Sequence, residues 1–510
     1  MSISNNKRIA RNTLFLYFRT FIILIVNLYT SRVVLQSLGI EDFGIYNVVG
    51  GVVALLAFMN AALSNGSSRF ITYEMGKECN GDVKTIFQST LFAHIVLALI
   101  IALVSETAGL WFVYNKLIID ASRMTAAVVT YHLSILTSLM TITQVPFTAM
   151  IIANERMDYF AYCSILDAVL KLLIVFALPL FVVDKLVLYA TLLCFVQFII
   201  TTLYVIYCKK QFVEVTIRNF NANWRKIKEI VYFSSWSLLG NAAHALNGQG
   251  VTIITNMFFS PAVVTARALS IQVNSAVMSM VQNIGLAANP QIVKLFSSGE
   301  YEKSRSLLLN TARYSFMLML LLSVPLISVC REILTLWLVD VPEYTIIFVQ
   351  LILIQSLFFT IDSTLYTALY ACGKVKQNAL ISPTLYFIQF IVIYFLFRAG
   401  FSPVSLSIAG IITSMIAGIA VKPILLHVYA NYPLNNIFSC IFRCVITSMV
   451  VIPLPIILLL NEDNRLSYTF LKLLVSTIVT IFSIVFIGIK KTERFNAIEY
   501  FLGKLEKTKK

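Results

Sequence analysis

Ionisable and polar side chains are scarce in this sequence, and the few inside its apolar stretches are where chemistry would reside. The clearest set lies between residues 231 and 257, where Ser237, Asn241, His244, Gly248, Thr252 and Thr255 recur at steps of three and four. That spacing puts them on one face of a helix. Polar groups facing hydrocarbon are costly, so a stripe this long reads as the wall of an aqueous cavity; polar contacts between packed helices are the plainer alternative. Asn247, Gln249 and Gly250 mark a place where the helix can bend or loosen. The next apolar stretch repeats the pattern more briefly in Gln272, Ser275, Ser279 and Gln282.

The charged candidates are fewer. Lys171 follows Asp167 by four residues, a spacing that lets the two pair on one helical face. Asp362 sits mid-stretch with no charge partner nearby in sequence. Arg19 shares a face with Thr30 and, less closely, Asn27, and either lines a cavity or snorkels to the headgroups. Arg267 opens the stretch after the polar stripe and either lines a cavity mouth or anchors at the interface. His94, His132 and His244 fall at membrane depth, as proton relays or as hydrogen-bonded packing residues. Asp167, Asp362, His94 and His132 are thus the ion-coupling candidates. Cys440 and Cys444 are four apart without His or carboxylate companions, which reads as packing and not as a metal site. No phosphate-binding Gly-rich loop and no nucleotide-binding domain occur, so the expectation is a non-enzyme without cofactors, not driven by ATP bound to this chain.

The elements that must position these residues are membrane helices. Of 510 residues, 59% are hydrophobic and 12% charged, with a mean hydropathy of +0.84, where soluble domains carry roughly 25% charge. Runs of ~20 apolar residues, the length that spans ~30 Å of hydrocarbon, recur near 13–35, 45–65, 86–106, 124–152, 161–183, 186–208, 231–257, 264–288, 314–333, 345–372, 379–400, 405–428, 440–460 and 470–489. The expected fold is therefore an all-α polytopic membrane protein of about fourteen helices. The net charge of +15 would suit nucleic acid, but its placement does not. With the N-terminus inside, 28 Lys and Arg fall on the cytoplasmic side and seven in outer loops, which predicts cytoplasmic termini.

A weak repeat at an offset of roughly 220 residues pairs Thr148-Ala149 with Thr367-Ala368, and the polar run Asn27, Thr30, Ser31 with Thr252, Thr255, Asn256. Six helices separate the copies, which predicts two parallel lobes related by an axis along the membrane normal. The expected organisation is an N-terminal lobe over 1–208, a cytoplasmic linker over 209–230, a C-terminal lobe over 231–428, two added helices over 429–489, and a basic amphipathic tail over 490–510. Trp224, Ile227 and Val231 read as an interfacial anchor before the seventh helix.

Several turns carry a resemblance. The segment Leu38-Gly39-Ile40-Glu41-Asp42-Phe43-Gly44-Ile45-Tyr46-Asn47 resembles the turn after helix one in bacterial polysaccharide flippases. Ala153-Asn154-Glu155-Arg156-Met157, Pro290-Gln291-Ile292-Val293 with Gly299-Glu300, and Ala371-Cys372-Gly373-Lys374 are similar to their other signature turns. The opening, from Asn6 to Asn12 and through Tyr29-Thr30-Ser31-Arg32, is similar to Bacteroides-type lipopolysaccharide biosynthesis proteins. This family of O-antigen and capsule flippases belongs to the multidrug/oligosaccharidyl-lipid/polysaccharide exporter superfamily. The resemblance implies two six-helix lobes around a cavity lined by helices one, two, seven and eight. It implies transport of an undecaprenyl-diphosphate-linked oligosaccharide from the inner to the outer leaflet of the bacterial inner membrane, by ion-coupled alternating access. The implied partners are that lipid-linked glycan, membrane lipids and polysaccharide polymerase machinery, and no nucleic acid. It also implies that Arg19 and Arg267 match the cations that hold the pyrophosphate, with Lys171 adding to the field. Drug-exporting relatives place an acidic residue within helix one, and residues 13–35 here contain none. A cation-coupled drug exporter is the alternative function; a glycosyltransferase using lipid-linked sugars, suggested by Glu41-Asp42, is a more distant one.

Overall fold

The computed structural model describes residues 3–75, 82–154, 156–215, 222–338, 340–372, 375–454, 466–489 and 494, with only the backbone path given for 3–21. The amphipathic tail expected over 490–510 and most of the last outer loop lie outside the described residues. Helices account for almost all of the rest, and no strand occurs among the described residues. In chain order they are α1 (Ile3–Met75), α2 (Val83–Val104), α3 (Leu110–Lys116), α4 (Met124–Ala153), α5 (Met157–Ala177), α6 (Lys185–Gln211), α7 (Trp224–Ala245), α8 (Val251–Phe258), α9 (Pro261–Ser297), α10 (Tyr301–Ser328), α11 (Cys330–Trp337), α12 (Thr345–Ala371), α13 (Val375–Arg398), α14 (Ser405–Met415), α15 (Lys422–Ala430), α16 (Leu434–Val451) and α17 (Leu466–Ser483).

Eleven helical runs among the described residues are long and apolar enough to cross a membrane. One of them, Leu24–Met75, holds two expected spans, because Gly39 adopts φ 81° and ψ 171° and breaks the helix between them. Only glycine takes that conformation without strain. The expected spans over 231–257 and 264–288 are present as α7–α8 and α9, but their polar residues keep them out of the apolar eleven. The surface confirms the setting. Leu103, Phe195, Phe442 and Phe482 are each more than half exposed, an arrangement that suits lipid and not water. The chain is an all-α, multi-pass membrane protein.

Two compact units share the chain. The first holds residues up to Ala268, with Leu338–Glu343 and Tyr386–Pro403. Its core includes Leu63, Leu97, Ile101, Ile142, Ile227 and Ile230 packed together. Ile227 therefore does not belong to an interfacial anchor: it is 6% exposed, while Trp224 and Val231 face outward. Gly44 has a packing reason in this unit. A Cβ at Gly44 would lie 2.2 Å from the Pro261 carbonyl oxygen, and Thr265 Oγ1 donates to the Ile40 carbonyl at 2.7 Å. The turn after the first span is thus pressed against the start of α9.

Near that turn one guanidinium gathers two carboxylates. Arg123 Nε and Nη2 donate to both Asp42 oxygens at 2.8 and 2.6 Å, and its Nη1 donates to Asp184 at 2.6 Å. Asp184 also caps α6, accepting from the Leu186 and Val187 amides. Burial works to raise the Asp184 carboxyl, but Arg123 and those amides outweigh it and hold it below its ordinary value.

The second unit holds Leu269–Trp337, Tyr344–Leu385 and Val404 onward. Two ion pairs are buried in it. Lys422 Nζ lies 3.3 Å from Asp362 Oδ1 and donates to Ser382 Oγ at 3.0 Å. Lys472 Nζ reaches Glu332 Oε1 at 3.0 Å. Lys422 and Arg313 are 2% exposed.

Candidate functional site

The polar stripe survives as a local structure with a defect at its centre. Between α7 and α8, residues Leu246–Gly250 form a π turn, at the place where Asn247, Gln249 and Gly250 predict loosening. Val251 N–H there reaches back five residues to the Leu246 carbonyl, so the Asn247 carbonyl loses its ordinary helical donor. Arg267 fills the gap. Its Nη2 donates to the Asn247 carbonyl at 3.3 Å, and its Nη1 to the Gly248 carbonyl at 3.1 Å and to Thr252 Oγ1. Thr252 in turn donates to the Gly248 carbonyl at 3.1 Å.

Arg267 is 8% exposed, which rules out the interfacial anchor that the sequence left open. The arginine fork suits this position because it meets several oxygens at fixed angles, where lysine offers a point charge. On the same turn, Asn247 Nδ2 donates to Gln389 Oε1 at 2.9 Å, and His244 lies 5.4 Å from the Tyr386 ring. His244 and Gly248 are exposed, Thr252 is buried, and Asn241 Nδ2 is buried without a hydrogen-bond partner among the described residues. In the first span Asn27 is exposed, and Thr30 Oγ1 is buried without a partner among the described residues. The side chains of Arg19 and Ser237 lie outside the described residues.

The remaining candidates separate. Lys171 Nζ does pair with Asp167 Oδ2, at 2.7 Å, and both side chains are partly exposed. His94 is fully buried, with Nδ1 against the Thr90 carbonyl at 2.9 Å and Nε2 without a partner among the described residues. His132 is exposed and 3.0 Å from Glu106. Asp362 has the partner the sequence hid, Lys422, sixty residues on. In α9 Gln272 is half-buried and Gln282 exposed. Sequence reasoning also missed Gln389 and Tyr386 as neighbours of the π turn. Their only signal was a Tyr and a Gln inside the apolar run at 379–400.

A second feature of the first unit is apolar. A cavity of about 440 Å³ lies against the other side of the α8 segment, lined by Ile253, Ile254, Met257 and Phe390 among others. The π turn thus carries a polar cluster with a buried cation and adjoins an apolar space, the combination an amphiphilic ligand would need.

No protein-family model matches this sequence, and no curated protein sequence matches it. Solved structures do match in fold. A multidrug resistance MATE family transporter of the MOP superfamily, in an inward-facing conformation, aligns over 81% of this chain and 98% of its own, with a TM-score of 0.68 and 13% identity. The lipid II flippase MurJ, in an inward closed conformation, aligns over 92% of this chain and 98% of its own, with a TM-score of 0.66 and 11% identity. A MOP superfamily transporter from Pyrococcus furiosus aligns over 82% and 94%, with a TM-score of 0.59 and 13% identity. At these identities the likeness is one of fold alone.

Proposed function

We propose that this chain is a flippase for an anionic, lipid-linked oligosaccharide, moving an undecaprenyl-diphosphate-linked glycan to the outer leaflet of a bacterial inner membrane for surface polysaccharide assembly. The observation that carries the reading is the buried Arg267 guanidinium at the π turn of the polar stripe, in a fold shared with a lipid II flippase. Alternating access would free part of the guanidinium from the Asn247 and Gly248 carbonyls and turn it to a diphosphate. The unsatisfied Asn241 amide and Thr30 hydroxyl support a ligand, since buried polar groups without partners are costly and rare. Arg19 and Lys171 are the further cations proposed to face the diphosphate. Two parallel lobes, with both termini in the cytoplasm, complete the proposal. Polymerase machinery would take the flipped glycan onward.

Cation-coupled drug export, the competing reading, wants an acidic residue in the first span, and residues 13–35 have none. Glycosyl transfer would need Asp42 available as a base, whereas Arg123 holds both of its oxygens. The deciding experiment is deletion of the gene followed by leaflet-resolved analysis of lipid-linked glycans. Accumulation in the inner leaflet supports the flippase. Normal glycan export together with heightened sensitivity to cationic drugs would overturn it.

A further inference from the structure

The apolar cavity of about 440 Å³ in the first unit has a definite depth and a cation at its level of entry, and none of its lining residues is proposed to hold the diphosphate. The helical run Val83–Lys116 is 34 residues long, about 50 Å at ~1.5 Å per residue, enough to cross ~30 Å of hydrocarbon and end among the headgroups. Its last turns carry Trp111 and Tyr114, both more than half exposed, and Lys116, whose Nζ lies 5.8 Å from the Trp111 ring. Exposed aromatic side chains beside a lysine mark the headgroup level. From the same run Phe112, Ala108 and Val104 line the cavity, at four, eight and twelve residues before Lys116. The cavity therefore extends from about 6 to about 18 Å below that lysine, close to the ~15 Å of hydrocarbon in one leaflet.

Its floor is closed and its rim is open. Gly250, Ile253 and Ile254 line it and are buried, whereas Val104 and Ala108 line it and are exposed. Next to Val104, Leu103 is 67% exposed, and next to the lining residue Tyr394 of α13, Phe395 is 58% exposed, so the rim is continuous with the surface that meets hydrocarbon. No lining side chain is charged, and Tyr394 alone carries a hydroxyl. A space so lined stays free of water, and left empty it forfeits the contacts of its walls. A hydrocarbon chain from the bilayer fills it, and its volume lies within the ~300–1,000 Å³ usual for ligand pockets. Two features fit a phospholipid better than a longer chain: the cavity ends within one leaflet, and Lys116 sets a positive charge where the phosphate lies. Two π turns border the space, Ser105–Gly109 through Gly109 and Leu246–Gly250 through Gly250.

We propose that this cavity is a phospholipid site, with one acyl chain lodged between the two π turns and the phosphate at Lys116. The chain packs on Ile253 and Ile254 of α8 and fills the space that the π turns leave between their helices.

The test uses the full chain in nanodiscs that contain a small fraction of phosphatidylglycerol with a photoactivatable diazirine in one acyl chain. After irradiation and digestion, adducts are mapped by mass spectrometry. Peptides containing Met257 and Phe390 should be labelled in excess of the α17 peptide containing Phe482, a residue 61% exposed that lines no such cavity. Ala108→Phe fills the cavity from an exposed position, where folding tolerates it, and should remove most labelling at Met257 while α17 stays labelled. Val104→Trp does the same from one turn deeper, and both are read on protein with the wild-type thermal midpoint. Lys116→Gln should lower labelling at Met257 about threefold, the loss of one exposed ion pair, and Lys116→Arg should restore it. Labelling of Met257 no greater than that of α17, or undiminished in both filled variants, would overturn the proposal. So would displacement of the label by a polyprenyl phosphate at lower concentration than by phosphatidylglycerol, which would assign the cavity to a longer chain.

Discussion

Replacing Lys422 by methionine gives the sharpest energetic test of the second unit. Lys422 and Asp362 are 2% and 6% exposed and 3.3 Å apart. At an effective dielectric constant of about 20, two unit charges at that distance attract by roughly 5 kcal/mol. Desolvation consumes much of this, so the pair adds little net stability over an apolar pair of similar volume. Breaking it is another matter, because the surviving charge is left buried: Lys422→Met and Asp362→Leu should each cost about 3–5 kcal/mol. The double variant removes both charges and should lie within about 1–2 kcal/mol of wild type. Unfolding midpoints in graded denaturing detergent, on protein purified at matched yield, give the three differences. Transport by the double variant then separates two roles. A structural pair predicts export restored along with stability; an Asp362 that carries the coupling ion predicts a stable protein that no longer exports. Losses that simply add in the double variant would refute the claim that the two side chains form one buried unit.

Four further outcomes follow from the same geometry. Arg19→Lys should lose most glycan export at normal protein levels, about ten- to hundredfold in binding if a guanidinium fork holds the diphosphate; unimpaired export in Arg19→Ala would assign that side chain to snorkelling. Cysteines placed at the exposed positions His244 and Gly248 should react with water-soluble thiol reagents, and one at Ala243, 4% exposed, should not; uniform protection would return the stripe to structural glue. Gly44→Ala should destabilise the first unit, because its Cβ meets the Pro261 carbonyl, and a thermal midpoint equal to wild type would show that α9 yields. Asp184 lies below its ordinary carboxylate value, so its contribution is complete above pH ~4 and fades as pH falls through the folded value. Arg123→Gln should therefore lower stability at neutral pH and flatten the loss that Asp184 contributes on acidification, as measured by unfolding midpoints across pH 3–7.

How much of this was legible in the sequence depends on whether a residue's role is local. Apolar run length and charge placement are local, so the polytopic helical fold could be read directly, down to the two helices whose polar stripes keep them out of the apolar eleven. The π turn was legible for the same reason: Asn247, Gln249 and Gly250 weaken a helix wherever it packs. So was the Asp167–Lys171 pair, four residues apart on one helix. What a run of residues does not encode is the partner brought by another helix. Asp362 looked solitary because Lys422 follows it by sixty positions, on another helix. Arg267 shows the limit most clearly. Its type and place at the head of α9 were visible, yet its alignment with the carbonyls of the π turn comes from the packing of α9 on α8. The same side chain thus serves as a structural tie in this conformation and as the proposed diphosphate ligand in another. A guanidinium could do both in turn because the Asn247 carbonyl it holds belongs to a π turn and lacks its ordinary helical donor.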